Sequence, residues 1–358
     1  MIDPVYRMLA ERLDALPNGF PASASGVELR LLARLFTPEE AALASELRLT
    51  LETRDEIAAR TGRDPRALLG QLIGMAKRGL IKVGRIPAGW GFGLLPFVVG
   101  IYEMQGATID SELARLFEDY YQEALGRLVG TSPSVHRVIP VDRAVRVDME
   151  IRPYESAAEI VEENQAWAVV DCICRKQKAL IGDPCDHPVD VCLSFSTTPG
   201  AFDTISSMKV LTKEEALATL RRSAEAGLVH TVSNNQEGLT YICNCCTCSC
   251  GVLRGISELG IANAVARSAF VNTVDAELCQ GCGLCEDACQ FEALEVEEKA
   301  IVNAFRCTGC GVCVLACPEG ALALVRRPDD EVLPPPVTEG DWRAERAAAR
   351  GIDLARVE

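Results

Sequence analysis

Apolar positions recur at helical spacing through the first fifty residues. Tyr6, Leu9, Leu13 and Leu16 form one stripe, which Pro17-Asn18-Gly19 ends. Residues 29–36 and 38–51 give two more helices, with Thr37 placed to cap the second. From residue 52 the pattern becomes helix, turn, helix, strand. Thr53-Arg-Asp-Glu56 is a capping box. Its helix stops at Thr61-Gly62, Asp64-Pro65 opens a second that runs to Lys77-Arg78, and Gly79 hands over to a strand at 80–84. Residues 89–93, Gly-Trp-Gly-Phe-Gly, read as a loop. Asp110 or Ser111 then caps a helix with broad apolar faces, and residues 130–133 read as a linker. Alternation is weak over 135–147, which predicts one or two strands. A helix at 154–164 leads into a strand at 167–172. Thr212-Lys-Glu-Glu215 caps a further helix that ends at Gly227. Residues 228–232 and 239–243 then form a hairpin turning through Asn234-Asn235.

Residues 52–86 resemble a winged helix-turn-helix. Arg60, Arg63, Arg66, Lys77, Arg78, Lys82 and Arg85 lean basic, as DNA binding would need. The second helix, however, offers base edges only Arg66 and Gln71, and a reading helix needs several such residues. Docking on protein is therefore the expectation, and DNA the alternative. The helix, Gly-Leu and hairpin at 212–243 repeat this pattern, so a second winged-helix-like unit is expected in the middle of the chain.

With 358 residues the chain has room for two or three domains, and 48% hydrophobic residues suffice for real cores. A formal charge of −15 argues against general affinity for nucleic acid or anionic lipid. Met1-Ile-Asp-Pro lacks a basic segment followed by an apolar run, and the apolar stretch at 92–101 carries Pro96 and is too short to span a bilayer. Seventeen Cys are too many for disulfides in an intracellular chain. These features predict a cytoplasmic protein without a membrane span, from an anaerobe.

The cysteines carry the chemistry. Cys279, Cys282, Cys285 and Cys289 follow C-x2-C-x2-C-x3-C, and Cys307, Cys310, Cys313 and Cys317 repeat it, closing on Pro318. Three thiolates at this spacing wrap one corner of an iron–sulfur cube, while the fourth points to the other cluster. One 4Fe-4S cluster is thus assigned to Cys279, Cys282, Cys285 and Cys317, the other to Cys307, Cys310, Cys313 and Cys289. Gly281, Gly283, Gly309 and Gly311 fit loops that pass close to inorganic sulfide. Zinc pairs normally show two separated C-x2-C units. Residues 272–325 resemble a bacterial-type dicluster ferredoxin domain. The sequence departs from that family at Gln290, where Pro is usual. Residues 294–297 and 300–303 alternate around Glu298-Lys299 as a small hairpin. Nine Asp or Glu against Lys299 and Arg306 between residues 274 and 325 make this an acidic face, suited to docking a redox partner protein.

Nine cysteines lie outside these motifs. Cys172, Cys174, Cys185 and Cys192 form one group; Cys243, Cys245, Cys246, Cys248 and Cys250 form the other. Metal ligation explains them better than free thiols do. If the second run is extended, Cys243 and Cys245 face one way and Cys246, Cys248 and Cys250 the other. One cluster could pool both groups, or two could share them four and four with one spare. One or two further iron–sulfur clusters are expected, with zinc as the alternative for the first group and His187 as its ligand. The Cys245-Cys246 pair resembles cysteine-rich modules of heterodisulfide reductase subunits, although Thr247 replaces their following Gly.

Residues 20–325 together are similar to multidomain 4Fe-4S proteins of anaerobes, a resemblance that implies electron transfer. The expected fold class is α+β. A helical, winged-helix-like domain is expected over 1–130, a Cys-rich α+β centre over 131–270, and a ferredoxin-type (βαβ)2 dicluster domain over 271–327. A Pro-rich linker and terminal helix follow over 328–358, the helix read as a surface element. The expected function is a single-electron carrier or subunit serving an oxidoreductase. Alternatives are a redox-sensing, DNA-binding regulator and an oxidoreductase with an incompletely ligated central cluster. No catalytic residue is identified: there is no dinucleotide fingerprint or Ser/His/acid array, and His136, His187 and His230 are the only histidines.

Overall fold

The computed structural model describes residues 3–358 and combines helices with antiparallel sheets, an α+β protein. It divides into two compact units. The first holds the residues up to Leu128, together with 180–182 and 343–358; the second holds 129–179 and 183–342.

In the first unit, α1 (Pro4–Asp14), α2 (Val27–Leu35) and α3 (Pro38–Glu46) bury the expected stripe of Tyr6, Leu9 and Leu13. Helix α3 ends before residue 51 because the chain turns extended at Leu47, where Leu49 N donates to Val357 O and Arg48 O accepts from Leu94 N. Next come β1 (Glu52–Thr53), α4 (Arg54–Thr61), α5 (Pro65–Lys77), β2 (Ile81–Ile86) and β3 (Gly89–Leu94), with the capping box at Thr53 and Glu56 formed. The sheet order is β1-β3-β2. Residues 89–93, expected as a loop, are thus a strand. Its glycines permit close approach: a Cβ on Gly93 would lie 3.0 Å from Thr50 O and 3.1 Å from Arg48 O. Helix α6 (Ser111–Tyr120) is capped by Asp110 and passes through one wider turn to α7 (Gly126–Leu128).

In the second unit, β4 (His136–Val138), α8 (Ala157–Glu162), β5 (Ala166–Asp171), α9 (Ile173–Leu180), β6 (Asp190–Ser196), β7 (Lys209–Leu211), α10 (Lys213–Glu225), β8 (Val229–Ser233) and β9 (Tyr241–Cys245) come in that order. The strands form one antiparallel sheet, β4-β8-β9-β6-β5-β7. This corrects the expected second winged-helix-like unit. The helix and hairpin form, but β8 also pairs with β4, and β9 with β6, so the hairpin lies inside a sheet rather than projecting as a wing. Strand β6, not anticipated, buries Val191, Leu193 and Phe195 in alternation.

After α11 (Arg254–Ser257) come β10 (Phe270–Val274), α12 (Leu284–Asp287), β11 (Leu294–Val296), β12 (Ala300–Val302), α13 (Val312–Leu315) and β13 (Leu322–Arg326). Strands β10 and β13 pair, and β11 and β12 form the expected hairpin. Buried Arg327 ties this segment together through Phe270 O, at 3.1 Å, and Cys307 O, at 2.7 Å. The Pro-rich spacer is held too, since Gln236 N donates to Pro336 O and Gln236 Nε2 to Pro335 O.

Helix α14 (Glu339–Ala349) closes the order. Its Arg346 is fully buried and donates to Pro17 O, and Arg350 pairs with Asp14 at 2.8 Å, so this stretch is packed rather than a solvated surface helix. Among the described residues no helix is long and apolar enough to cross a membrane.

His136 supplies a pH test of the second unit. Its Nε2 meets Tyr241 Oη at 2.9 Å, and burial pushes its pKa down to about 4. The folded state therefore holds the neutral ring. Its contribution is complete above the ordinary histidine pKa of about 6.5 and is lost as pH falls towards the folded value. Between pH 7.5 and 5.5 the wild type is expected to lose about 1 kcal/mol that His136→Gln does not lose, as read from urea unfolding.

Candidate metal centres

All seventeen cysteines are free thiols, and all lie in the second unit. They gather in four places.

Cys279, Cys282 and Cys285 sit on the loop entering α12. With Cys317 they line a cleft of about 330 Å³, floored by Val296, Ala300, Ala321 and Leu322. The crossed fourth cysteine is therefore beside the first three. Ala300 N donates to Cys279 Sγ at 3.4 Å and Ala321 N to Cys317 Sγ at 3.3 Å. The Ala300 bond heads the influences that lower the Cys279 pKa, so the thiolate a metal needs is favoured. Cys282 is exposed, which sets this cleft at the surface.

Cys307, Cys310 and Cys313 sit on the equivalent loop before and into α13. Cys307 and Cys313 are buried, and burial, reinforced by neighbouring Cys307 and Cys289, pushes Cys310 up to about 12. Cys289 belongs to the same electrostatic neighbourhood as Cys310 and Cys313. It accepts from Ala293 N at 3.3 Å, and Cys313 accepts from Asn272 Nδ2 at 3.3 Å. Both loops need glycine for a reason beyond sulfide. Gly281 has φ +64°, and a Cβ there would meet Glu298 O at 2.5 Å; Gly309 has φ +71°, and a Cβ would meet Phe270 O at 2.1 Å.

The nine central cysteines do not keep their sequence groups. Cys185, Cys246 and Cys248 come together with His187, the four ligand atoms all within 4.8 Å of one another. His187 Nδ1 lies 3.8 Å from Cys248 Sγ, and burial followed by the charge of Arg175 lowers the His187 pKa, leaving the ring neutral as a ligand must be. Three thiols and one imidazole this close fit a single tetrahedral ion of the zinc type, whose metal–sulfur bonds are about 2.3 Å. All four ligand atoms converge on one point, whereas a cube spreads its thiolates over separate irons.

The other six, Cys172, Cys174, Cys192, Cys243, Cys245 and Cys250, form a second set. Strand β5 delivers Cys172, the first turn of α9 carries Cys174, β6 carries Cys192, and β9 carries Cys243 and Cys245. The β6–β9 register, Leu193 opposite Ile242, sets Cys192 opposite Cys243 when continued by one residue. Sequence alternation expects Cys250 on the side of Cys246 and Cys248. It lies with Cys245 instead, because the strand ends at Cys245 and an α-turn, Cys250 N to Cys246 O at 3.0 Å, swings the chain back.

Two further residues matter to which the sequence alone assigns no role. Buried Arg175 donates to Pro188 O and Asn244 O, while its Nε–H is buried with no partner. Burial works against its charge, but Cys172, Cys246, Cys245 and Cys192 raise its pKa overall. Gln290, at the position where proline is usual in ferredoxins, accepts from Thr247 N at 2.8 Å and donates to Gly227 O. It thus joins the segment just after Cys289, at the end of the first motif, to the Cys246–Cys248 turn and to Gly227.

A family model described as a 4Fe-4S dicluster domain matches residues 278–321. No curated protein and no solved structure gives a significant match to the chain. The match covers all eight cysteines of the two C-x2-C-x2-C-x3-C motifs and supports iron–sulfur binding near the C-terminus.

Gln290→Pro is expected to leave the iron content unchanged and to lower stability by about 1–3 kcal/mol, the worth of two partly buried hydrogen bonds. Elemental analysis alongside urea unfolding checks both arms.

Proposed function

We propose that the chain is a cytoplasmic electron carrier or carrier subunit, relaying single electrons through two 4Fe-4S clusters to or from an oxidoreductase partner. The crossed arrangement of Cys279, Cys282, Cys285 and Cys317 around one cleft, within the matched residues, is the observation that carries this reading. Such a cluster takes up and returns one electron at a potential set by hydrogen bonds, burial and charge. The chain's own residues supply those levers. Ala293, Ala300, Ala321 and Asn272 donate to cysteine sulfurs, and the second set of thiols is the more deeply buried.

Charge complementarity argues for a basic partner protein. Glu277, Glu286, Asp287 and Glu319 are exposed around the surface cleft, and apolar Leu278 and Leu284 stand exposed among them. Behind the cleft, one apolar cluster contains Cys279, Cys285, Cys289, Cys313 and Cys317; a second contains Cys289, Cys307, Cys310, Cys243, Cys245 and Cys250. Cys289 belongs to both, so apolar contacts run from the surface cleft to the central thiols.

The regulator alternative is weaker. Arg60, Arg63 and Arg78, which a DNA-binding winged helix would present, are paired with Glu52, Glu46 and Glu40. A protein-docking role for the winged-helix-like segment fits those ion pairs better.

Anaerobically prepared protein is expected to carry at least about eight irons, and Cys282→Ala with Cys313→Ala is expected to remove most of them. Reversing Glu277, Glu286 and Asp287 to Lys is expected to slow electron transfer to a small basic haem protein about tenfold at low salt, an effect that salt erases. Unchanged transfer would remove the docking face. Salt-dependent binding of the chain to its own upstream DNA would favour the regulator.

A further inference from the structure

Six of the central thiols close a ring. Cys172 has Cys174 and Cys192 as side-chain hydrogen-bonding neighbours. Cys174 continues to Cys250, Cys250 to Cys245, Cys245 to Cys243, and Cys243 back to Cys192. Every member thus has two thiol neighbours within the ring. Cys185, Cys246 and Cys248 have one another, His187 and Ser249 as neighbours instead.

Six sulfurs exceed what one tetrahedral ion uses, and exceed the four of one cube. Free, they would be a liability, because crowded thiols in an apolar interior neither ionise easily nor stay reduced. Two observations mark the ring as a site. The Nε–H of Arg175 is buried and unpartnered, and the guanidinium interacts with Cys172, Cys245 and Cys192 of the ring as well as with Cys246 of the other set. A buried guanidinium proton without an acceptor is costly, and sulfide or thiolate bearing negative charge would accept it. Second, Cys243, Cys245 and Cys250 share an apolar cluster with Cys289, Cys307 and Cys310 of the ferredoxin-type segment.

We propose that Cys172, Cys174, Cys192, Cys243, Cys245 and Cys250 together hold one polynuclear iron–sulfur centre facing Arg175, distinct from a single zinc-type ion at Cys185, His187, Cys246 and Cys248. The inference concerns what the central thiols bind and stands whether or not the two ferredoxin-type clusters carry electrons to a partner. Arg175 is a positioning residue: its charge lies against the centre and favours the more reduced, more negative state.

The test is elemental. Iron, acid-labile sulfide and zinc are measured per full-length chain prepared without oxygen. The wild type is expected to hold more than about eight irons, together with about one zinc. Cys172→Ser with Cys245→Ser should bring iron down to about eight while zinc stays. Cys185→Ser with Cys248→Ser should remove the zinc while iron stays. Arg175→Gln should lower the midpoint potential of the central signal alone, and Arg175→Lys should restore most of it. A wild-type count of about eight irons, or of two or more zincs, would overturn the proposal irrespective of any variant. So would loss of the same metal from both double variants, which would mean one pooled centre. If the ring double variant loses all its iron, Cys174→Ser alone replaces it, and an unchanged iron count there overturns the assignment. A wild type far below eight irons would instead strike at the ferredoxin-type clusters themselves.

Discussion

Holding many thiolates close together away from water is the constraint on which the second unit depends. Metal binding requires deprotonated sulfur, and charged sulfurs in a low dielectric repel one another and lose hydration. The fold answers at each place with donors that cost no extra charge. Ala293, Ala300 and Ala321 turn backbone N–H groups on Cys289, Cys279 and Cys317, the same device repeated across a pseudo-duplicated (βαβ)2 segment. At the centre, where more sulfur is gathered, a full positive charge replaces the backbone donors. Arg175 is fixed by Pro188 and Asn244 carbonyls so that it faces cysteines of both central sites.

The same constraint explains the graded burial. Cys282 stands in solvent, Cys307 and Cys313 are covered, and the ring draws on Cys192, Cys243 and Cys245 in the sheet, Cys172 just after β5, Cys174 in α9 and Cys250 beyond β9. An electron site that meets a partner must come near the surface, whereas one that only passes charge inward gains from exclusion of water. Gln290 belongs to this logic. One of its hydrogen bonds fastens the segment that carries Cys289 to the turn that carries Cys246 and Cys248, and the other fastens it to Gly227, a task the usual proline has no side-chain donor or acceptor to perform.

How far the sequence could be read depended on how far apart the ligands lie along it. The ferredoxin-type motifs were legible because three ligands share one loop and the fourth lies one turn beyond, so spacing alone carries the geometry. The central sites were not, because Cys192 meets Cys243 only through strand register across about fifty residues. Cys250 was placed on the wrong side because alternation was extended past the end of β9, where an α-turn takes over. Residues 89–93 failed for a related reason: glycine was read as loop, when here it marks strands that pass too close for a Cβ.

Adjacent Cys245 and Cys246 point into different sites, and this has a mechanical consequence. The last residue of β9 belongs to the six-thiol ring, the next belongs to the Cys185–His187 set, and Arg175 is felt by both. A metal ion at the Cys185–His187 set would fix Cys246 and Cys248, and with them the α-turn that returns Cys250 to the ring. Under the proposed assignment the single ion would act as a clasp on the polynuclear centre: it would contribute rigidity rather than electrons, and close a ring that the strand alone leaves one sulfur short.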